Sequence, residues 1–426
     1  MSGDGVHRAA GVISIGDELA LGQTLDTNSM WISARLAERG VAVRRHATIA
    51  DDQGAIAAEI ARFAAELDLV VVTGGLGPTA DDLTRQALAE AMGDELVTDD
   101  AALAEVRSWF ESSGRSMPEA NAVQALRPAG AAMLPNAHGT APGLRARLER
   151  ADVFCFPGPP TELRPMFDRD VLPMLRTDSV VVTRLLRTAG AGESAIAERL
   201  GGLMDRDRNP LVGTTASEGV ITVRIRYEGA DRAEGGRLVD EAAEAVRREV
   251  GAYCFGEADE TLAEVLVREL TARHETVTTV ESCTGGLVAA ALTDVPGSSA
   301  VFARGLVTYS NDVKAELVGV PAWVFAKQGA VSRACVEAMA RGGLEASGAS
   351  HAIAVSGIAG PDGGTDEKPV GTVWTCRASA DGTSDARRLH LKGSREQVRR
   401  RSTVMAMVLL WLKLRGAEEL RVLAQV

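Results

Sequence analysis

Short apolar runs alternate with longer amphipathic stretches through the first third of the chain: residues 11–15, 41–49 and 69–73 read as strands, and residues 28–39 and 55–67 as helices between them. This alternation is the pattern of βα units around a largely parallel sheet. The rhythm breaks after Met92, where Pro118, Pro128, Pro135 and Pro142 punctuate a loop-rich stretch. It resumes with the apolar run 153–156, which ends at Pro157-Gly158-Pro159-Pro160. Residues 180–186 and 220–227 again read as strands, with helices near 194–203 and over 232–250. The alternation in Val220-Ile221-Thr222-Val223-Arg224-Ile225-Arg226 predicts one buried and one wet face, hence a small α+β domain. A helix over 261–273 and a strand over 276–280 restart the βα alternation, and Val404, Val408, Trp411 and Leu414 mark a late core helix. The chain therefore divides into an α/β domain (residues 1–177), a small α+β domain (178–258) and a second α/β domain (259–426).

Composition supports that division. A chain of 426 residues exceeds what one hydrophobic core usually serves. With 46% hydrophobic and 24% charged residues it has the balance of an ordinary globular protein. A net charge of −12 argues against a nucleic-acid partner or an anionic membrane, because a polyanion is held by excess positive charge. Cys155, Cys254, Cys283, Cys335 and Cys376 are far apart, odd in number and without a CxxC pattern. They predict reduced thiols in a cytoplasmic chain, neither a disulfide framework nor a zinc site. No secretory leader is visible at the start, and the apolar stretch 404–412 is well short of the roughly 20 residues that span a bilayer.

The chemistry concentrates after strands. Residues 276–280 run into Glu281-Ser282-Cys283-Thr284-Gly285-Gly286, after which 287–292 reads as a helix. Ser282 thus occupies a strand-to-helix turn, where the N–H groups of Cys283, Thr284, Gly285 and Gly286 could hold an oxyanion or a phosphate. A serine hydroxyl needs a base at neutral pH. The strand ending at Leu306-Val307-Thr308-Tyr309-Ser310-Asn311 and the helix over 312–317 supply Tyr309 and, on its first turn, Lys314. A lysine partly desolvated there loses proton affinity and can take the serine proton with Tyr309. Cys283 is a rival nucleophile, with a small buried cap residue as its plainer role. A third loop, carrying Gly357 and Gly360, follows the strand 352–355; glycine-rich loops after strands of an open α/β sheet are binding edges. Arg399 either anchors a ligand phosphate or lies on a solvated helix face.

In the first domain the strand 69–73 delivers Gly74-Gly75-Leu76-Gly77-Pro78-Thr79, with a helix expected from about residue 80. Gly74, Gly75 and Gly77 would admit a phosphate to helix-start donors. Asp81 and Asp82 beside such a site would repel the ligand unless a hard divalent cation, Mg²⁺ or similar, lies between them, although they could instead merely favour the helix dipole. Asn28 follows the first strand and stands at the same sheet edge.

Several of these runs resemble the CinA family. Over residues 260–415 the likeness rests on Glu281 to Gly286, Pro296-Gly297-Ser298-Ser299, Tyr309-Ser310-Asn311 with Lys314, Gly329-Ala330-Val331-Ser332, Gly357 to Pro361 and Lys368-Pro369-Val370-Gly371-Thr372-Val373. Over residues 10–175 it rests on Gly16-Asp17-Glu18-Leu19, the Gly74 loop, Asn136, Gly139-Thr140-Ala141-Pro142-Gly143 and Phe156 to Glu162, which resemble a molybdopterin-binding-like domain. Gly190-Ala191-Gly192-Glu193-Ser194 resembles the start of a KH-like segment, read as a spacer or dimer element. The resemblance implies a cytoplasmic homodimer with two hydrolase sites. The C-terminal domain would deamidate nicotinamide mononucleotide without a cofactor, and the N-terminal domain would hydrolyse ADP-ribose with a divalent metal. A pterin-binding protein of molybdenum-cofactor assembly and a non-catalytic competence or DNA-damage interaction protein are the alternatives. The sequence departs from the commoner family wording at Asp17 and Ser356, each still a short polar residue.

Overall fold

The computed structural model describes residues 6–112 and 114–426. The chain packs as two units: one holds the residues up to Val182 with Glu228–Gly235, the other Thr183–Tyr227 with Gly236–Val426.

The first unit is built on β1 (Ala9–Ile15), β2 (Ala42–Ile49), β3 (Leu69–Thr73), the short pair β4 (Leu96–Thr98) and β5 (Leu126–Pro128), β6 (Ala132–Leu134), β7 (Gly143–Leu148) and β8 (Ala151–Phe156). Its main sheet runs β2-β1-β3-β8-β7-β6, parallel through the first four strands and antiparallel beyond β8. Strands β3 and β8 are buried along their whole length, as expected of a parallel sheet covered on both faces. One face packs Ile56, Ile60 and Phe63 of α3 (Gln53–Glu66) and Leu88 of α4 (Thr84–Met92). The other packs Ile32 and Leu36 of α2 (Thr27–Ala37) and Leu163 and Phe167 of α6 (Pro160–Asp170). The short α1 (Asp17–Ala20) follows β1, and α5 (Asp100–Ser112) fills the loop-rich stretch. Asp26 and Asp52 cap α2 and α3 through their carboxylates. Helix α4 begins at Thr84, later than expected, because residues 79–83 form a turn closed by Asp82.

The second unit joins two sheets. The first, β10-β11-β9-β12, is made of β9 (Val180–Ala189), β10 (Leu211–Ser217), β11 (Val220–Gly229) and β12 (Cys254–Glu257), with α7 (Glu193–Leu200) and α8 (Arg232–Val250). The second has the order β14-β13-β15-β16-β17, from β13 (Val277–Glu281), β14 (Phe302–Val307), β15 (His351–Gly357), β16 (Thr372–Ser379) and β17 (Ser384–His390). Strands β14, β13 and β15 are parallel, and β16 and β17 antiparallel. Helices α9 (Leu262–Arg273), α10 (Leu287–Thr293) and α14 (Arg395–Leu414) share one core with one face of this sheet; α11 (Asn311–Val318), α12 (Ala322–Lys327) and α13 (Arg333–Ser347) cover the other. The α14 segment from Met405 to Leu412 is buried all round, so the expected core helix is longer and more enclosed than the apolar pattern implied. The middle segment is tied to the C-terminal one by Trp411 Nε1 donating to Ala252 O at 2.7 Å and Tyr253 Oη donating to Arg421 O at 2.7 Å. Most of the middle segment, Thr183–Tyr227 and the residues from Gly236, thus packs in the second unit. Among the described residues no helix is long and apolar enough to cross a membrane.

Candidate functional site

Ser282 follows directly on β13, where three parallel strands end together. It is buried, and its N–H donates to Val355 O at 3.0 Å, tying the turn to β15. Lys314 arrives from α11, whose start is fixed by the Ser310 hydroxyl accepting from Val313 N–H. Its Nζ lies 3.1 Å from Ser282 Oγ, 2.8 Å from Thr308 O and 3.1 Å from Tyr309 O. None of these partners is a carboxylate and the side chain is buried, so desolvation pulls the amine's pKa below the ordinary lysine value. A neutral amine has two N–H donors and one lone pair. In the neutral form the two carbonyl oxygens would take the donors and leave the lone pair for the serine hydroxyl; in the charged form Nζ donates to Ser282 Oγ.

The turn after Ser282 is braced from two sides. The buried Glu281 carboxylate accepts from Gly286 N–H and Val288 N–H at 3.0 Å each and from Ala289 N–H at 2.8 Å. Gly285 N–H donates to Ser282 O at 3.0 Å. The N–H groups of Gly285 and Gly286, expected to meet a ligand, are therefore spent within the protein. Arg399 of α14 donates from Nε to Cys283 O at 3.1 Å and from Nη2 to Thr284 O at 2.9 Å, so the proposed phosphate anchor acts as a brace on the nucleophile loop. Among the described residues, the N–H groups of Cys283 and Thr284 are the two in this turn without a backbone acceptor, and the Cys283 N–H meets its own thiol. Thr284 is fully buried, and its Oγ1 also lacks a partner.

Tyr309 departs from expectation. Its carbonyl serves Lys314, but the residue is 61% exposed and its hydroxyl accepts from Arg395 Nη2 at 3.2 Å. The expected convergence of hydroxyl, amine and phenol reduces to the Ser282–Lys314 pair, because the tyrosine lies on the rim. Arg395 also donates to Gly360 O at 2.7 Å, joining that rim to the loop after β15, at whose start Gly357 faces Val373 of β16. Burial pushes the Cys283 thiol up to about 12, which removes it as a rival nucleophile at neutral pH.

In the first unit a cavity of ≈ 400 Å³ opens where β1, β3 and β8 end, lined by Gly16, Asp51, Gly75, Gly77, Thr140 and Glu162 among others. Gly74 and Gly75 have φ of 102° and 64°, and a Cβ on either would lie 2.3 Å from Ile15 O or 2.4 Å from Thr84 Oγ1, so only glycine fits there. One Asp82 oxygen accepts from Gly77 N–H at 2.7 Å; the other accepts from Thr79 N–H at 2.9 Å and from the Thr79 hydroxyl. Both oxygens are committed to the loop, and Asp81 is exposed. Among the described residues no three His, Cys, Asp or Glu side chains converge as a metal site. Asp82 therefore shapes the loop with both oxygens, which leaves the expected Asp81–Asp82 metal pair without support from this geometry. Asn28 also joins elements, its Nδ2 donating to Thr73 Oγ1 at 3.1 Å and to Gly158 O at 2.7 Å, while its buried Oδ1 has no partner. Beneath the loop the buried Arg85 donates to Gly77 O at 3.1 Å and to Leu76 O, with burial pulling its pKa down to about 10. Opposite it, burial, and then the nearness of Asp17, Asp81 and Glu18, raises the Asp51 carboxyl above its ordinary value.

Comparison with known proteins places the three segments in named domain families. Residues 259–414 match the CinA C-terminal domain, 11–177 the probable molybdopterin binding domain, and 183–256 the damage-inducible protein CinA KH domain. A CinA-like protein of Geobacter sulfurreducens is 42% identical over 409 residues, covering 95% of this chain and 98% of that protein. The chain belongs to the CinA family. A CinA-like protein of Geobacter metallireducens is 41% identical over 413 residues, covering 95% and 98%. The solved competence/damage inducible protein CihA of Agrobacterium tumefaciens is 41% identical, covering 36% of this chain and 93% of that one, with a TM-score of 0.35. The Ser282–Lys314 pair accordingly lies in the CinA C-terminal domain and the glycine-loop cavity in the molybdopterin-binding-like domain. Glu281, Arg395 and Arg85 escaped the sequence reading. Glu281 carried one legible signal, a charge ending a strand otherwise free of ionisable residues; Arg85 carried another, a charge between Thr84 and Leu88 on the inner face of α4.

Proposed function

We propose that the CinA C-terminal domain is a serine amidohydrolase, with nicotinamide mononucleotide as its substrate. The reading rests on Lys314 Nζ, which is buried without a counter-charge 3.1 Å from Ser282 Oγ. Ser282 Oγ attacks the carboxamide carbon as its proton passes to the lone pair of Lys314. The tetrahedral intermediate collapses by breaking the C–N bond, and Lys314 returns the proton to the departing nitrogen, which leaves as ammonia. Water, giving a proton to the same amine, then cleaves the ester to nicotinate mononucleotide, and the proton returns to Ser282. Tyr309 and Arg395, joined at the rim, would face the ribose phosphate side of the ligand. Ammonia release from nicotinamide mononucleotide tests the scheme: Ser282→Ala and Lys314→Ala should each lower turnover by at least about 10³-fold. Undiminished release from Ser282→Ala defeats the reading.

For the molybdopterin-binding-like domain we infer binding of a nucleotide diphosphate, with ADP-ribose hydrolysis as the accompanying activity. Its support is the glycine cradle above the buried Arg85 cation. A divalent cation would polarise the diphosphate, but Asp81 and Asp82 do not fit as its ligands, so no step is assigned to them. Release of AMP from ADP-ribose, assayed with and without Mg²⁺, distinguishes hydrolysis from pterin binding. Salt-sensitive DNA binding with no turnover of either nucleotide would instead favour a recruitment role.

A further inference from the structure

Glu281 has no role in the proton transfers just described, yet it is fully buried and sits immediately before the nucleophile. A buried carboxylate is costly unless its oxygens are well hydrogen-bonded. Three N–H groups converge on this one, those of Gly286, Val288 and Ala289, and the remaining donor at the start of α10, Leu287 N–H, goes to Thr284 O at 3.4 Å. A Ser or Asp at the N-cap would close the helix from its surface at lower cost, but Gly286 has no side chain.

Across a trans peptide the C=O and N–H point in opposite directions. Arg399 holds Cys283 O, so Thr284 N–H in that peptide plane points away from the guanidinium. Gly285 N–H holds Ser282 O, which turns Cys283 N–H outward from the turn, and Glu281 pins the far end through Gly286. We propose that Glu281 is a positioning residue of the amidase: it consumes the α10 donors and locks the turn so that the N–H groups of Cys283 and Thr284 receive the oxyanion formed by Ser282 attack. The proposal rests on the amidohydrolase reading above. Only an acceptor-only group with two oxygens satisfies three converging N–H donors; a glutamine would turn an NH₂ toward at least one of them.

The test compares full-length wild type with Glu281→Gln. The variant should keep its KM within about threefold while kcat falls about 10–100-fold, as for loss of oxyanion alignment. Ser282 labelling by a fluorophosphonate should slow in parallel. Affinity for nicotinamide mononucleotide, measured by calorimetry in a Ser282→Ala background with and without Glu281→Gln, should not change. A purely structural role would lower binding, labelling and turnover together in proportion to the folded fraction, and wild-type kcat in Glu281→Gln overturns the proposal. If that variant does not fold, Glu281→Asp keeps the charge one methylene short: lowered kcat at unchanged KM supports the assignment and unchanged kcat overturns it. A wild type that releases no ammonia sinks the amidase reading itself, a result separable from either outcome.

Discussion

At the residue scale, the decisive group is Lys314, an amine buried against neutral oxygen atoms. Burial disfavours its charged form, so its folded-state pKa lies below 10.5. On the amidohydrolase reading proposed above the neutral amine is the active form, so kcat/KM for ammonia release should rise with pH through an apparent pKa below the ordinary lysine value. A profile flat from neutral to alkaline pH would contradict a lysine base. Linkage gives an independent check. The unfolded chain binds more protons between the folded-state pKa and 10.5, so wild type gains stability relative to Lys314→Met as pH climbs through that window. Thermal melts of both proteins across the alkaline range measure it. The approach of Lys314 to Ser282 was legible in the sequence because each lies in a segment that directly follows a strand. The Tyr309 phenol was misplaced because spacing along a chain does not reveal which way a rim side chain turns.

At the scale of elements, α14 is the organiser of the serine site. Arg395 and Arg399 are four residues apart, hence neighbours on one helix face, and they reach the loop after β15 and the loop after β13 respectively. Arg399→Ala should free Cys283 O and Thr284 O, lowering kcat about tenfold or more, as for loss of an aligned donor. Arg399→Lys should recover little, since an ammonium does not reproduce the planar fork that meets both carbonyls. Steady-state kinetics of the two variants decide this, and full activity in the lysine variant would refute the bracing role. Fully apolar strands such as β3 were read because such runs have few alternatives, whereas β7, β10 and β17 carry no continuous apolar run and were missed. The start of α4 was misread because Thr79, Asp81 and Asp82 look like helix-entry residues, whereas Asp82 closes a turn upon Gly77 and Thr79. Short polar side chains bond local backbone in turns and caps alike, so pattern alone does not separate them.

At the scale of the whole molecule, three sequence segments fold as two packing units with separate cores. Calorimetry should resolve more than one unfolding transition, because chains with independent cores depart from two-state behaviour. Nicotinamide mononucleotide added to Ser282→Ala should raise only the transition of the unit that holds position 282, by mass action on its native state; an equal shift in every transition would count against independent sites. The grouping of the middle segment with the C-terminal one was not readable from its alternating pattern, since the bonds made by Trp411 and Tyr253 depend on tertiary neighbours. The thiol distribution has a practical corollary. Cys155, Cys283, Cys335 and Cys376 are sealed from solvent while Cys254 is partly open. Maleimide applied to the folded chain should therefore attach once, at position 254, and a covalent probe or fluorophore can be installed there without touching the Ser282 turn.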